Sequence, residues 1–464
     1  MPMTEVILMS DIINSFPGYE FIEFGEDKQP HNMYRGTDIG FGGYIVSFPG
    51  IYTNVALLDV NSLHPNSIRA MNCFGDYTKN FTDILDARVA IKHGDYETAR
   101  TMLNGRLAPY LDDESKAKDL AQALKIAINS VYGLTAASFD NPFRDIRNKN
   151  NIVALRGALF MRTLQDEVTQ RGYKIVAIKT DSIKIANADK KIVEFCMQFA
   201  DRYGYKFDHE ATYDRICQIN DADYIAKYAD SKWCESEYGY VPGDNAKAEK
   251  SGMMWTATGK QFQIPFVFKT LFSKEKVAFE DFCETKEVKT AIYLDMNENL
   301  PDGEHDYHFI GKVGNFCPIK DGCGGGILVR EAKDKNGGIK YDSVTGTKRT
   351  NDIPYRWLES ESVKLLGKED DIDKSYHRSL ADKAIDFISQ YGDFERFVAD
   401  EPYISPQETI EGIDFPPDED PPWYTDDELA AIKAAEEEGL PYYITSELAR
   451  KLDEQQISDA FNKR

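Results

Sequence analysis

The sequence predicts an α+β fold in which helices cover a small antiparallel sheet. Apolar residues dominate residues 55–60, which indicates a buried strand. Two further apolar runs, residues 174–179 and 182–186, are separated by only two residues, as in strands joined by a tight turn. Between these strands, helical periodicity appears twice, at residues 82–103 and 115–132, around a turn rich in Pro and Asp. The order of elements therefore predicts a sheet interrupted by an αα-hairpin.

The remaining patterns extend this architecture. Pro65 suits the first turn of a helix, and Gly172 suits a helix end because glycine tolerates a left-handed backbone. Residues 400–425 are rich in Pro, Asp and Glu, which is typical of a linker. The other predicted helices cover residues 65–70, 152–172, 189–203, 371–398 and 425–438, and the other predicted strands cover residues 213–219 and 224–228. Residues 1–50 form short segments, and residues 235–370 mix short strands with Gly-rich turns.

The charge of the chain is unevenly distributed. A length of 464 residues fits two to four domains, and the net charge is −23. Residues 51–350 carry 41 Lys and Arg against 42 Asp and Glu, whereas residues 351–464 carry 12 against 29. The middle of the chain is therefore compatible with nucleic acid. The C-terminal residues predict either a solvated acidic surface or a tail that binds a partner or mimics DNA.

Composition also bounds the location of the protein. No stretch of about 18 uninterrupted apolar residues occurs, and the N-terminus lacks a basic region followed by an apolar core. The seven cysteines are dispersed, which is typical of reduced thiols. These features predict a cytoplasmic protein without membrane contact.

A zinc site built from His305, His308, Cys317 and Cys323 is a weak alternative, because the spacing matches no common structural zinc pattern.

Two aspartates stand where predicted strands end. Asp59 closes the first strand, and Asp181 lies at the turn of the later pair. Nucleotidyl transfer requires two divalent ions about 4 Å apart, and Mg²⁺ prefers carboxylate oxygens as ligands. Asp59 and Asp181 are therefore the predicted catalytic and metal-binding residues, with two Mg²⁺ ions as cofactor and Mn²⁺ as a substitute. Either aspartate alone would be better explained as a turn or helix-cap residue, and it is the pairing with the intervening helix that favours a metal site.

One face of the second hairpin helix carries groups suited to a nucleotide. Lys125, Asn129 and Tyr132 stand at i, i+4 and i+7 and so share a face. Lysine supplies charge for a phosphate, asparagine can hydrogen-bond near a sugar, and tyrosine offers a ring beside a base pair. Gly133 lets that pair approach the backbone. In isolation, this pattern would favour an ordinary amphipathic helix with a snorkelling lysine, and the flanking aspartates favour the nucleotide site instead.

Three segments together carry a family resemblance. In order, spacing and composition, they resemble the A, B and C motifs of family B DNA polymerases, and the wording DVNSL is shared with protein-primed bacteriophage polymerases. The resemblance implies a right-hand polymerase that adds deoxynucleotides to a primer 3′-hydroxyl, with primer–template DNA and dNTPs as partners. It also implies that Arg88 and Lys92 reach the β- and γ-phosphates. The segments are DVNSLHP at residues 59–65, KIAINSVYG at residues 125–133 and KTDS at residues 179–182.

The resemblance also predicts a division of the chain. No Asp-x-Glu motif, which marks the family's 3′–5′ exonuclease, occurs upstream of Asp59. We therefore expect an exonuclease-free polymerase of bacteriophage DNA replication in the host cytoplasm, with a separate exonuclease or replisome subunit as a partner. The predicted parts are an N-terminal segment (1–49), a palm (50–81 and 151–232), fingers (82–150), a thumb and C-terminal region (233–398) and an acidic tail (399–464).

Further contacts with DNA follow from the resemblance. Tyr34 and Gly36 lie in a segment similar to the family's Y-x-G-G/A element, from which Thr37 departs. Tyr224 matches the tyrosine of the family's K-x-Y element, whose lysine is missing here, so that Lys227 becomes the substitute. Lys260 is expected to contact duplex phosphates. The predicted DNA-binding residues are Tyr34, Gly36, Gly133, Tyr224, Lys227 and Lys260.

Three departures from the family pattern keep other functions open. His64 replaces a tyrosine that, by resemblance, lies under the incoming sugar, so His64 is a predicted nucleotide contact and a palm enzyme that uses ribonucleotides is one alternative. Lys179 replaces an aspartate and adds a cation beside the acids, which leaves a catalytically weakened DNA-binding protein as another. Glu210 is either a third carboxylate of the site or a surface glutamate.

Overall fold

The structure is a computed structural model that describes residues 12–23, 25, 27–135, 137, 139–141, 143, 151–349, 351–401 and 403. Helices and antiparallel sheets make up this part of the chain, so the α+β prediction is confirmed. The predicted acidic helix and most of the predicted linker lie outside the described residues. A small N-terminal sheet contains β1 (Tyr19–Ile22), β2 (His31–Tyr34) and β3 (Thr37–Asp38).

A seven-stranded antiparallel sheet forms the centre of the fold. Its strands are β4 (Ile45–Ser47), β5 (Gly50–Val60), β6 (Lys174–Lys179), β7 (Ser182–Ala186), β8 (Phe207–Gln218), β9 (Tyr224–Tyr228) and β10 (Trp255–Thr258). They lie in the order β10-β9-β8-β5-β7-β6-β4. The predicted strands 174–179 and 182–186 are confirmed. β5 begins five residues, and β8 six residues, before the sequence predicted, since cross-strand pairing extends both strands beyond their most apolar part.

The helices of the described residues complete the fold. Residues 12–15 are helical, and none of the described helices is long and apolar enough to cross a membrane. The longer helices and short helical segments are α1 (Leu63–Ala70), α2 (Thr78–Lys92), α3 (Tyr96–Thr101), α4 (Glu114–Thr135), α5 (Ile152–Gln170), α6 (Lys190–Arg202), α7 (Ser231–Tyr238), α8 (Gly243–Ser251), α9 (Lys260–Gln263), α10 (Pro265–Phe268), α11 (Ser360–Leu365), α12 (Lys374–Ser389) and α13 (Phe394–Val398).

The two faces of the central sheet differ. Along β5, Ala56 and Leu58 belong to the largest apolar core, to which α5 and α6 contribute. The alternate residues Val55 and Leu57 belong to a smaller layer on the second face, because successive side chains of a strand point in opposite directions. Helix α5 is buried along most of its length. Its Gly157 allows close packing on α1, since a Cβ atom there would lie 2.7 Å from Leu63 Cδ2.

The predicted αα-hairpin consists of α2 and α4. The two helices share a small apolar core with α3, and the second predicted helix, residues 115–132, is confirmed within α4. The first predicted helix, residues 82–103, was wrong in its second half. It breaks after Lys92, where Gly94 takes a positive φ of 76°, and Asp95 caps the short α3 by accepting a hydrogen bond from the Thr98 amide.

A five-stranded sheet and the last helices follow the central sheet. Its strands are β11 (Glu284–Asp295), β12 (Tyr307–Ile319), β13 (Ile327–Lys333), β14 (Ile339–Ser343) and β15 (Arg356–Glu359), in the order β14-β13-β11-β12-β15. The aromatic residues between Trp255 and Phe272 form a core with α12 and α13. Buried Arg215 holds the segment after α13 by donating to four backbone carbonyls, those of Arg396, Phe397, Ala399 and Glu401.

Candidate active site

The first two site residues lie side by side on the central sheet. Asp59 is the penultimate residue of β5 and stands opposite Ser182 of β7 and Asp208 of β8. The next residue, Val60, donates its backbone N–H to the carbonyl oxygen of Asp181 over 2.7 Å. The turn between β6 and β7 is thereby attached to the end of β5, and Asp181 is next to Asp59.

A strained residue shapes the turn that carries Asp181. Thr180 has a positive φ of 57°, which is unfavourable for a β-branched side chain. Its N–H donates to the Tyr44 carbonyl over 2.9 Å, and the Asp181 N–H donates to the Lys179 carbonyl over 2.7 Å. Gly43 lies against the Thr180 side chain, where a Cβ atom would be only 2.5 Å from Oγ1. Such strain is typical of functional sites that the surrounding fold holds in place.

The acids of this site carry little compensating charge. Burial, followed by the nearby carboxylates of Asp181 and Glu210, raises the pKa of Asp59 to about 8. Burial also raises the pKa of Asp181, and burial together with Asp244 raises the pKa of Glu210. The ammonium group of Lys92 acts in the opposite direction on Asp59 without reversing the shift. A divalent cation would relieve this electrostatic cost by binding the two aspartates.

The neighbouring acids have other contacts. Asp208 accepts a hydrogen bond from Lys92 Nζ over 3.1 Å and lies 3.7 Å from His93 Nε2. Glu210 stands at a β-bulge, because Leu58 pairs with His209 while Leu57 pairs with Ala211. Across the described residues, no three His, Cys, Asp or Glu side chains form a group that could hold a metal ion. Glu210 is thus not assembled with Asp59 and Asp181 into a three-acid site.

The alternative zinc site is not formed either. His305 pairs with Asp295 over 2.7 Å, and His308 pairs with Asp306 over 2.9 Å. Cys317 lies within the core, and its Sγ atom is 3.1 Å from that of Cys283. The two histidines and Cys317 therefore have separate partners, and the described residues hold no group of metal ligands at this place, so the zinc alternative is wrong.

The raised pKa of Asp59 makes the stability of the metal-free chain depend on pH. Folded Asp59 titrates near 8 and an ordinary aspartate near 3.8, so the folded chain binds a proton that the unfolded chain releases between these values. This stabilisation is fully present below the lower pKa and is lost as the pH rises through the higher one.

We expect the wild-type Tm, measured in EDTA, to fall by a few degrees more between about pH 5 and about pH 9 than the Tm of Asp59→Asn, whose amide does not titrate. Parallel curves for the two proteins would contradict the assigned environment.

The first and second motifs meet in an aromatic stack. The rings of His64, on α1, and Tyr132, on α4, have centroids 4.3 Å apart and planes 12° apart. Burial lowers the pKa of His64, so its ring is neutral near pH 7, and its Nδ1 atom is buried without a hydrogen-bond partner. The His64 ring therefore packs on the hairpin helix and does not face solvent. The Tyr132 hydroxyl donates to Asn151 Oδ1 over 3.3 Å.

The other predicted nucleotide contacts lie on the same helical hairpin. Lys125 and Asn129 are exposed on α4. On α2, Arg88 donates to Ser62 Oγ over 3.1 Å, and Lys92 binds Asp208, which pairs with Asp59 across the sheet. The hairpin therefore directs two of its basic side chains toward the end of β5. Their contact with phosphate remains a prediction.

Comparisons with known proteins agree with the resemblance at a coarse level. No protein-family model matches the chain. DNA polymerase II of Escherichia coli (strain K12) is 32% identical over 161 residues, which is 30% of this chain but only 19% of that protein. A family B DNA polymerase from the hyperthermophilic archaeon Pyrobaculum calidifontis is a structural match with 12% identity and a TM-score of 0.36, over 68% of this chain and 45% of that one. The distant sequence similarity is to a DNA polymerase, and the aligned region spans about a fifth of the length of that relative.

The residues that were predicted to contact DNA differ in their exposure and in their contacts within the protein. Tyr34 is only 1% exposed and hydrogen-bonds to Thr163, so its side chain lies in the core, whereas Gly36 is exposed. Contact of this segment with DNA stays a prediction. Lys227 Nζ contacts the Ala399 carbonyl over 3.4 Å and the Asp400 carboxylate over 3.5 Å, and its contact with DNA stays a prediction. The remaining three, Gly133, Lys260 and the half-buried Tyr224, also stay predictions.

Two lysines near the third motif behave differently. Lys179 is exposed, and the effect of its charge on metal binding stays a prediction. Lys184 was not predicted as a site residue, and it is almost completely buried near Tyr224. A polar residue between Ile183 and Ile185 in an otherwise apolar strand was the signal that could have indicated it.

Proposed function

We propose that this chain is a DNA-directed DNA polymerase that adds deoxynucleotides to a primer 3′-hydroxyl during bacteriophage DNA replication in the host cytoplasm. The observation that carries the proposal is the adjacent, partly buried pair of Asp59 and Asp181, whose charge the surrounding side chains do not neutralise. The distant similarity to a DNA polymerase supports the same class of reaction. By this proposal, residues 50–81 and 151–232 form the palm, 82–150 the fingers, 233–398 the thumb region and 399–464 an acidic tail.

Two magnesium ions suit the acid pair. Both aspartates offer hard oxygen ligands, and their two carboxylates would give the ions two negative charges. When bound, such ions activate the 3′-hydroxyl and neutralise the triphosphate, and Mn²⁺ could replace Mg²⁺. Asp208 has a separate role, since it holds Lys92 of the hairpin near the end of β5.

The hairpin would hold the incoming nucleotide. Exposed Lys125 and Asn129 line one helix, and Arg88 and Lys92 extend from the other toward the acid pair. Phosphate charge grows on the transferring group in the transition state, so cations placed there would accelerate the reaction as well as bind the substrate. The Tyr132 ring would lie beside the new base pair.

Loss of a hairpin cation should affect both nucleotide binding and catalysis. We expect Lys125→Ala and Arg88→Ala each to raise the KM for dNTP and lower kcat, by about tenfold or more in kcat/KM, because the charge of the triphosphate increases toward the transition state. Lys118→Ala is the matched control on α4, since Lys118 forms an exposed ion pair with Glu114 over 2.8 Å. Steady-state kinetics of single-nucleotide addition will measure the effect. If kcat and KM equal those of the control, the two residues do not contact the nucleotide and are merely solvated residues of the helices.

A run-off primer-extension assay tests the proposed reaction. The full 464-residue chain, incubated with a primer–template duplex, Mg²⁺ and four dNTPs, should extend the primer to the end of the template. EDTA should stop the reaction. Failure to extend by a chain that still binds the duplex would overturn the proposal in favour of a catalytically weakened DNA-binding protein.

Proofreading should be missing from the same preparation. We expect no shortening of a primer with a mismatched 3′ end, because no Asp-x-Glu acid pair stands upstream of Asp59 in this sequence. A separate exonuclease or replisome subunit would then provide editing. Release of nucleotides from the mismatched end, dependent on Mg²⁺ and retained in Asp59→Asn, would reveal a nuclease site elsewhere in the chain.

One observation favours a second candidate, the use of ribonucleotides. The buried Nδ1 atom of His64 lacks a hydrogen-bond partner, and a 2′-hydroxyl can donate to such an atom. A tyrosine ring offers no acceptor at that position. Comparison of dNTP with rNTP incorporation distinguishes the two substrates.

A further inference from the structure

A buried cation lies on the second face of the central sheet. Lys184 stands in β7 between Ile183 and Ile185, which both belong to the largest core, so its own side chain projects to the other face. The residue is only 7% exposed. Its ammonium group lies 4.1 Å from the centroid of the Tyr224 ring.

No anion compensates this cation within the described structure. Among the described residues, Lys184 Nζ forms no hydrogen bond and no ion pair. It makes a cation–π contact with the ring of Tyr224. Burial and then the charge of Lys179 lower the pKa of Lys184 to about 8. An ammonium group without a counter-ion in such surroundings is unfavourable, and an anionic ligand would remove that cost.

The lysine also stands at a defined distance from the acid pair. Lys184 pairs with Leu57 of β5, whereas Asp59 pairs with Ser182, so the two positions are two residues apart along neighbouring strands. Two residues of a strand span about 7 Å, which is about twice the rise of one nucleotide along a DNA strand. A lysine side chain can leave an aromatic ring and reach a nearby phosphate because its stem is flexible.

We propose that Lys184 binds a backbone phosphate of the primer strand, within the last three linkages before the 3′-hydroxyl that reacts at Asp59 and Asp181. This site rests on the proposed polymerase function and adds to it a positioning residue for the primer. Tyr224 holds the ammonium group when DNA is absent and releases it when the strand arrives. The incoming triphosphate is a different ligand, held by the hairpin cations Arg88 and Lys125.

A thermodynamic cycle that combines protein variants with chemically modified primers tests the contact. Primers carrying one neutral methylphosphonate linkage, at each of the last four positions in turn, are bound to wild type, Lys184→Met and Lys184→Arg. Lys191→Met is the matched control, because Lys191 is exposed on α6. Affinity for the primer–template duplex is measured by fluorescence anisotropy without dNTP, and the KM for primer and kcat are measured separately.

The proposal predicts coupling at one linkage. Wild type and Lys191→Met should lose about tenfold in affinity when that phosphate is neutral, and Lys184→Met should lose about tenfold with the native primer but nothing more with the modified one. The salt dependence of binding should decrease by about one counterion in Lys184→Met. Lys184→Arg should restore both properties, and the variant effect should fall on the KM for primer more than on kcat.

Other results would overturn the contact. Additive losses at all four linkages, or native affinity in Lys184→Met, would show that Lys184 touches no primer phosphate. Lys184→Arg keeps the charge and serves as the folded reference if Lys184→Met is unstable. If wild type binds the duplex with this coupling but extends no primer, the polymerase proposal fails and the phosphate site stands. If wild type extends primers without coupling, only the inference about Lys184 fails, and if wild type binds no duplex, both fail.

Discussion

Replacing either Asp59 or Asp181 by asparagine is expected to reduce the rate of primer extension at least about a hundredfold, with DNA binding largely retained. The reason is that both carboxylates are assigned to metal ions and neither to DNA. An amide keeps the shape of the side chain but removes the charge that attracts a divalent ion. The loss should be similar in the two variants because the two-ion reaction needs both aspartates.

The matched control is Asp201→Asn, which removes an exposed acid at the end of α6. Single-turnover extension measures the chemical step, and anisotropy of a labelled duplex measures binding. If either active-site variant retains more than about one hundredth of the wild-type rate, the two-metal assignment is wrong. If both variants lose DNA binding instead, the aspartates have a structural role.

The choice of sugar should depend on His64. This ring stacks on Tyr132, so the first motif and the hairpin helix meet where the resemblance puts the incoming nucleotide. Shortening His64 to alanine opens space for a 2′-hydroxyl, and ribonucleotide incorporation should rise by about tenfold to several hundredfold. His64→Tyr should preserve or sharpen the preference for deoxyribose, because the larger ring has no acceptor at the position of Nδ1.

The measurement is the ratio of kcat/KM for dNTP to kcat/KM for rNTP in wild type, His64→Ala and His64→Tyr. A wild-type ratio near one would favour the use of ribonucleotides. The Tyr132→Phe variant is a useful control, since it keeps the stacked ring and removes only the hydroxyl that contacts Asn151. Equal ratios in wild type and both His64 variants would mean that the ring does not meet the sugar.

Local patterns predicted much of the central sheet. The strands at residues 174–179 and 182–186 are short apolar runs around a turn, and their limits are set by neighbouring residues, so the sequence alone places them. The adjacency of Asp59 and Asp181 also follows once β5 and β7 pair. Helix α4 was predictable for a similar reason, because its apolar spacing runs for several turns.

Other features depend on distant parts of the chain. The bulge at Glu210 arises from the pairing of β8 with β5, so the sequence around Glu210 could not show that this acid lies at a break in the register. Tyr34 is buried beside Thr163 of α5, more than a hundred residues away, and Lys227 contacts residues 399 and 400. A residue type that could contact DNA does not reveal which distant residues of the same chain it contacts in the folded protein.

The central claim is that the acid pair and the hairpin helix join a nucleotide, chosen by a template strand, to a primer. The most direct test uses four duplexes that differ only in the first unpaired template base, each offered one dNTP at a time with Mg²⁺. The claim predicts addition of the complementary nucleotide in each duplex, one pyrophosphate released per addition, and loss of all four reactions in Asp181→Asn. Addition that ignores the template base, or no addition by a chain that binds the duplexes, would contradict it.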